Sequence, residues 1–317
     1  MKDLIKSYLS LLVIVLVVFD VFGQSKDIYV FKNRYSQDIN QWMESSDIGF
    51  KNYEMISRRH IDPKRNNKTD YKGVKKYLEK HFPEKEAEGT LVIDLENKFF
   101  KGLKENRKGS ENFEKSKNEF INLIEFIRDE RPCLIIGVYG MPFRIHKKSQ
   151  EVRNENKKLD PILELTDILF PSIYVFNPAK QKGIDYNLNY FEINLNTALE
   201  YGERLGKPVV PFVWYLVHDS NKKYGLEAIE KDEMAEYLQF ILNYEAHGKV
   251  IAGIAWWEGN TPYNKKQVKT NIINDKKNKK EAKLNKKTNK SEIKQEKFNK
   301  QSEAFNYYKT IFHKNSK

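Results

Sequence analysis

Short apolar runs alternate with helix-spaced stretches along most of the chain. Asp27–Phe31 and Tyr53–Ser57 have strand character, while the rest of 32–70 is too polar to assign. Tyr71–His81 carries Val74, Tyr77 and Leu78 at helical spacing and stops before Pro83. Gly89 then leads into Leu91-Val92-Ile93, a buried-strand pattern that ends in Asp94 and Glu96. Asn112–Glu130 predicts an amphipathic helix, with Phe113, Phe120, Ile121, Leu123, Ile124 and Ile127 in one stripe. Beyond Arg131-Pro132 the pattern repeats: strand Leu134–Tyr139, short helix Pro161–Asp167, strand Ile168–Tyr174. It repeats again as helix Tyr190–Leu205, strand Val209–Tyr215, helix Asp232–His247 and strand Val250–Trp257, with Gly206 and Gly248 closing the two helices.

Strands that are almost continuously apolar, alternating with helices, build a parallel sheet buried on both faces. So many repeats predict closure rather than an open sheet. The expected fold is α/β, a TIM-like (β/α) barrel over residues 24–264, distorted, with seven or eight strands.

The two ends of the chain differ from this body. Met1–Gly23 has Lys2 and Lys6 ahead of an apolar stretch, Leu9–Phe22, and predicts a signal segment cut before Gln24. The stretch falls short of the roughly 20 residues a membrane span needs, and Asp20 interrupts it. The expectation is export, to the periplasm, the cell surface or the medium, with membrane attachment only if the segment stays uncleaved. Cys133 is the sole cysteine, so no disulfide forms within the chain; it precedes an apolar run and reads as a buried, inert thiol.

The net charge of +12 first suggests an acidic polymer or a membrane surface as partner. Its distribution changes that picture. Residues 265–300 hold 14 lysines against Asp275, Glu281, Glu292 and Glu296, which is +10 of the total and leaves the body near neutral. That composition predicts a flexible insertion at 265–290, since it cannot bury enough apolar surface to order itself. Helical spacing resumes at Phe298, Phe305, Tyr308 and Ile311, as a last helix within 291–317 packing on the barrel. Export argues against nucleic acid as a partner of the lysines. No cofactor or metal is expected, and the chain reads as a monomer.

A barrel of this kind places its site at the carboxyl ends of its strands. Asp94 and Glu96 share one face if the strand runs through them. Two adjacent carboxylates do not both ionise cheaply, so one keeps its proton near neutral pH. Tyr139, Tyr174, Trp214-Tyr215 and Trp256-Trp257 end other strands, and Phe143 lies just past Tyr139. An acid pair ringed by aromatics suits a sugar: rings stack on pyranose faces while carboxylates do the acid chemistry. Any one of these rings alone is as readily barrel core; their arrival at one end of different strands carries the reading.

Gly89–Glu96, Asn112-Phe113-Glu114, Arg131-Pro132 through Gly137-Val138-Tyr139, Leu169–Tyr174, Pro208–Tyr215 and Gly253–Trp257 resemble, in order, the motifs of the hyaluronidase family of glycoside hydrolases, the animal and venom type. The resemblance covers roughly 71–260 and implies a retaining, substrate-assisted mechanism on a polysaccharide or glycosaminoglycan-like substrate. It implies Glu96 as general acid and then base, Asp94 as the group that orients the acetamido, Tyr174 as its hydrogen-bond partner and Trp257 as pocket wall. Tyr139, Phe143, Trp214 and Tyr215 would contact substrate. The chain departs from the family where arginines give way to Phe99 and Asn194, where a tyrosine gives way to Phe143, and where disulfides are lacking. These losses leave N-acetylhexosamine chemistry in place and put hyaluronan itself in question. Two further readings stay open: a barrel that has lost catalysis and binds glycan or a protein partner, and a chitinase-like hydrolase, although the latter's longer run of spaced aspartates is absent.

Overall fold

A computed structural model describes residues 26–35, 37–46 and 49–257. The expected signal segment, the lysine-rich insertion and the last helix lie outside these residues.

Among the described residues there are eight strands in chain order: β1 Asp27–Val30, β2 Phe50–Ser57, β3 Gly89–Asp94, β4 Leu134–Val138, β5 Phe212–Val213, β6 Glu245–Ala246, β7 Lys249–Val250 and β8 Gly253–Trp256. Six form one sheet in the order β4-β3-β2-β1-β8-β5, parallel throughout. The β6–β7 pair is a separate antiparallel hairpin between a helix and β8.

The two sheet edges are joined by Asp167–Ile173. Asp167 donates to Ile136 O, Gly140 donates to Phe170 O, Phe212 donates to Pro171 O and Ile173 donates to Phe212 O. Parallel bridges link Tyr139 to Phe170 and Ser172 to Phe212. Six strands plus this segment therefore make a closed ring of seven, a distorted TIM-like barrel. The sequence predicts regular strands at Ile168–Tyr174 and Val209–Tyr215, whereas only Phe212–Val213 is one. Pro171, Pro208 and Pro211 explain the difference, because a proline has no N–H to give to a ladder.

Aromatic rings fill the barrel. Tyr29 meets Phe170 at 6.0 Å, Phe170 meets Phe212 at 5.6 Å, and Tyr53 meets Phe212 at 5.5 Å between centroids. All four are buried. Gly137 makes room for them: a Cβ there would sit 2.3 Å from the Phe170 ring. Four of the longer helices, Tyr71–His81, Glu111–Glu130, Ile184–Leu205 and Lys231–Asn243, match predicted ones to within a few residues, save that Ile184–Leu205 starts six residues early. Among the described residues four α-helices are additional, the one-turn helices Arg58–Ile61 and Ala179–Lys182 and two longer ones. Gln37–Ser45 lies in the stretch too polar to assign, and Lys98–Glu105 begins at the departure from the hyaluronidase pattern. Cys133 is exposed, not buried, because β4 starts only at Leu134 and the thiol sits in the turn before it. Among the described residues no helix is long and apolar enough to cross a membrane.

Candidate active site

The chain turns sharply at the end of β3. Asn97 N–H donates to Leu95 O at 3.0 Å. The Asn97 side chain then caps the Lys98–Glu105 helix, accepting from Phe99 N and Phe100 N. The strand thus stops at Asp94, and Glu96 stands in the turn rather than on the strand. Asp94 follows Thr90 and Val92 on the barrel-facing side and pairs in register with Ser57. Its Oδ1 is buried and has no hydrogen-bond partner among the described residues. Glu96 is exposed at the rim.

This difference in setting decides which acid holds a proton. Burial pushes the Asp94 carboxyl up to about 7, and the Glu96 charge adds to the rise. The shifted group is therefore the inner acid.

The rings that the sequence points to divide into two sets. Tyr139 and Tyr174 lie 6.2 Å apart, and Tyr174 meets Trp214 at 5.7 Å. The Tyr139 hydroxyl donates to Ser172 Oγ at 3.3 Å. Burial pushes it up to about 12, with the Arg144 charge opposing the rise and the Glu96 charge adding to it. The Trp214 Nε1 is buried without a partner among the described residues, as is Asp94 Oδ1. Trp257, half-buried, meets Phe212 at 6.3 Å and donates its N–H to Val213 O. Tyr215 and Phe143 make up the other set. Tyr215 alternates to the opposite face from Trp214 and stacks on Trp256 at 6.1 Å and 1°. Phe143 is buried against Phe100, rings 5.1 Å apart and nearly perpendicular.

The residues found at the departures are structural. Phe99 is buried under the helix that Asn97 caps. Asn194, also buried, holds the backbone of Ile145 in the loop after β4.

That loop brings a cation that the sequence reading passed over. Arg144 Nη1 donates to Ser172 Oγ at 3.0 Å, on the same oxygen as Tyr139, and its Cζ lies 4.7 Å over the Phe176 ring. Around it His146 stacks on Tyr190 at 5.0 Å and His218 on Phe176 at 4.3 Å. Burial, and then the charge of Arg144, push both imidazoles down to about 4, so both are neutral at pH 7. Arg144 belongs to no periodic pattern; the available signal was its place in a strand-to-helix loop directly after Tyr139. Among the described residues no group of three or more His, Cys, Asp or Glu could hold a metal ion.

The class defined here is a distorted (β/α) barrel whose strand ends carry a half-buried acid, a rim acid and a wall of aromatic side chains. No protein-family profile matches the sequence, and no curated protein sequence matches it significantly. Solved structures do. A crystal structure of bee venom hyaluronidase aligns with a TM-score of 0.56 at 15% identity, covering 78% of this chain and 97% of that one. Bee venom hyaluronidase in complex with a hyaluronic acid tetramer aligns equally well, over 78% and 95% of the two chains. At this identity the likeness is one of fold.

Proposed function

We propose that this protein is an exported glycoside hydrolase that cleaves a glycan containing N-acetylhexosamine, by a retaining, substrate-assisted acid–base mechanism. The observation that carries the proposal is the unequal acid pair. Asp94 is half-buried, with a buried, free Oδ1 and a carboxyl raised to about 7, and Glu96 stands in solvent at the rim beside it. The hyaluronidase-like fold and the order of the resembling motifs support it.

In the first step the acetamido carbonyl oxygen attacks the anomeric carbon of its own sugar. The glycosidic bond breaks, and the one proton held by the acid pair passes from Asp94 to Glu96 and on to the departing oxygen. Asp94, left ionised by that transfer, accepts a hydrogen bond from the acetamido N–H and balances the positive charge on the cyclic intermediate. In the second step Glu96 takes a proton from water as the water oxygen bonds to the same carbon. The acetamido group is released and the configuration retained. Tyr174 and Trp214 supply polar atoms beside the acetamido, and Trp257 closes that side. The protein needs no nucleophile of its own.

The test is a screen for new reducing ends on hyaluronan, chondroitin, chitin oligomers and peptidoglycan. A substrate cut by wild type and spared by Glu96→Gln supports the proposal. Binding of a glycan without turnover by either chain moves the reading to a glycan-binding barrel. That reading is favoured by the structural employment of Phe143 and Asn194 where catalytic groups were expected.

A further inference from the structure

Among the described residues no hydrogen bond or ion pair holds the Glu96 carboxylate. Its place is set by the backbone on either side of it, β3 before and Asn97-Lys98 after. We propose that Asn67, held in turn by the buried Asp62, is a positioning residue for Glu96. It fixes the turn that carries the acid, and with it the delivery of the proton to the leaving oxygen. This rests on the reading of Glu96 as proton donor given above.

The helix Lys98–Glu105 starts two residues after Glu96. The first N–H groups of a helix have no partner within it. Here two asparagines supply the partners. Asn97 Oδ1 accepts from Phe99 N at 2.9 Å and from Phe100 N at 3.4 Å. Asn67 Oδ1 accepts from Lys98 N at 3.3 Å. Asn97 is a local cap, whereas Asn67 comes from another element, the loop 62–69. That loop follows β2, whose last residue, Ser57, pairs in register with Asp94. It is thus rooted beside one acid and bonded to the turn of the other.

Asp62 gives the loop its shape. It is 1% exposed. Its Oδ1 accepts from Asn66 N at 2.9 Å, and its Oδ2 accepts from Asn67 N at 3.2 Å and from Arg58 Nη2 at 3.3 Å. Asp70 N donates to Ile61 O at 2.7 Å and closes the loop at its base. Thr69 Oγ1 is bonded to Glu119 on the Glu111–Glu130 helix. Asn67 has φ 58°, a left-handed conformation that asparagine adopts more readily than most residues. Its amide is tied to Asp62 while its side chain holds Lys98. A buried carboxylate is costly unless it is paired and hydrogen-bonded, and Asp62 takes no part in the chemical steps above. Its bonds instead order the loop that supports the acid's turn. The helix it supports begins where the chain departs from the hyaluronidase pattern, so this support is the chain's own. A misplacement of about 1 Å at a reacting group can cost on the order of 100-fold in rate.

The experiment is kcat and KM on the natural linkage and on the 4-nitrophenyl glycoside of the same oligomer, which expels a stable phenolate and needs no proton. Asn67→Ala and Asn67→Gly should each lose about tenfold or more in kcat on the natural linkage, with KM within about twofold. On the nitrophenyl glycoside both should stay within about twofold of wild type. Glycine accepts the left-handed backbone, so the loss in Asn67→Gly isolates the side-chain bond. Asn67→Asp keeps an acceptor and tolerates the same backbone, and it restores the rate. Lys68→Ala, at an exposed neighbour, changes neither rate. Hydrogen exchange at the Lys98 amide should quicken in Asn67→Ala and Asn67→Gly. An equal loss on both substrates, or no loss on either, overturns the positioning role and leaves the hydrolase reading intact. A Glu96→Gln chain as fast as wild type on the natural linkage, or no turnover of any glycan, overturns the reading of Glu96 and the positioning role with it.

Discussion

Asn194, on the Ile184–Leu205 helix, and Ile145, in the loop after β4, exchange two hydrogen bonds. Ile145 N–H donates to Asn194 Oδ1 at 2.7 Å, and Asn194 Nδ2 donates to Ile145 O at 2.9 Å. The same Nδ2 also reaches Tyr190 O. A residue at a position where the resemblance expects a substrate-facing arginine is thus a buried clamp on the loop that carries Arg144. Asn194→Ala leaves the Ile145 amide and carbonyl unpaired, a loss on the order of 1–3 kcal/mol by chemical denaturation. Asn194→Arg is expected to destabilise at least as much, because the longer cation has no room or partner there. A gain of turnover on hyaluronan in Asn194→Arg, with unchanged stability, would show instead that the position faces substrate.

Phe143→Tyr follows the same logic. The ring is 3% exposed and packs on Phe100. A hydroxyl added there is buried without a partner, and the expected outcome is a loss of about 1–3 kcal/mol and no rise in turnover. Thermal melting and reducing-end assays on the pair of chains check both halves.

Cys133 is exposed ahead of β4, so Cys133→Ser should shift stability by no more than about 0.5 kcal/mol. The native chain should react with iodoacetamide at the rate of a free thiol. Protection from alkylation until unfolding would contradict the exposed position.

Much of the barrel could be read in advance because its signals are periodic. Leu91-Val92-Ile93 and the stripe of Glu111–Glu130 declare strand and helix by spacing alone. The failures are local and have physical causes. Three prolines break the ladder at Phe170–Tyr174 and Val209–Phe212, so runs that look like strands pair only at scattered points. Asn97 reads as an oddity in a motif until its side chain is seen capping a helix. The same cap turns Glu96 off the strand, which makes the acid pair unequal in burial. Alternation separated Trp214 from Tyr215 in principle, since neighbours on an extended chain face opposite ways. Arg144 and Asn194 act through loop contacts, and no spacing rule reports those.

Asp94 gives a prediction in which stability and pH are coupled. Its carboxyl sits at about 7 when folded against an ordinary 3.8, so the native state keeps the proton to higher pH than the unfolded chain does. The sign follows: between about pH 4 and pH 7 this group lowers stability as pH rises, and above pH 7 the full cost is present. The gap corresponds to roughly 4 kcal/mol at about 1.4 kcal/mol for each tenfold change in proton affinity. Asp94→Asn removes the titration. Its melting temperature relative to wild type should climb from pH 4 to pH 7 and then level off. A difference that is flat across that range would mean that Asp94 is not buried as a carboxyl.

The two acids should also separate by the leaving group they are asked to expel. Glu96 is proposed to supply a proton to the departing oxygen, and general acid catalysis of that kind is worth about 10²–10⁴-fold. A glycoside with 4-nitrophenol as leaving group needs no such proton, because the phenolate is already stable in water. Glu96→Gln should therefore lose most of its turnover on the natural linkage and recover much of it on the nitrophenyl glycoside of the same oligomer. Asp94 acts on the acetamido, not on the leaving oxygen, so Asp94→Asn should be slow on both. The charge that it balances develops whichever group departs. Measuring kcat for wild type and both variants on the two substrates gives four ratios. Rescue of Glu96→Gln alone fits the assignment. Rescue of Asp94→Asn instead would exchange the two roles, making the buried carboxyl near pH 7 the proton donor. Rescue of neither, with both chains folded, would mean that leaving-group protonation is not what either acid provides.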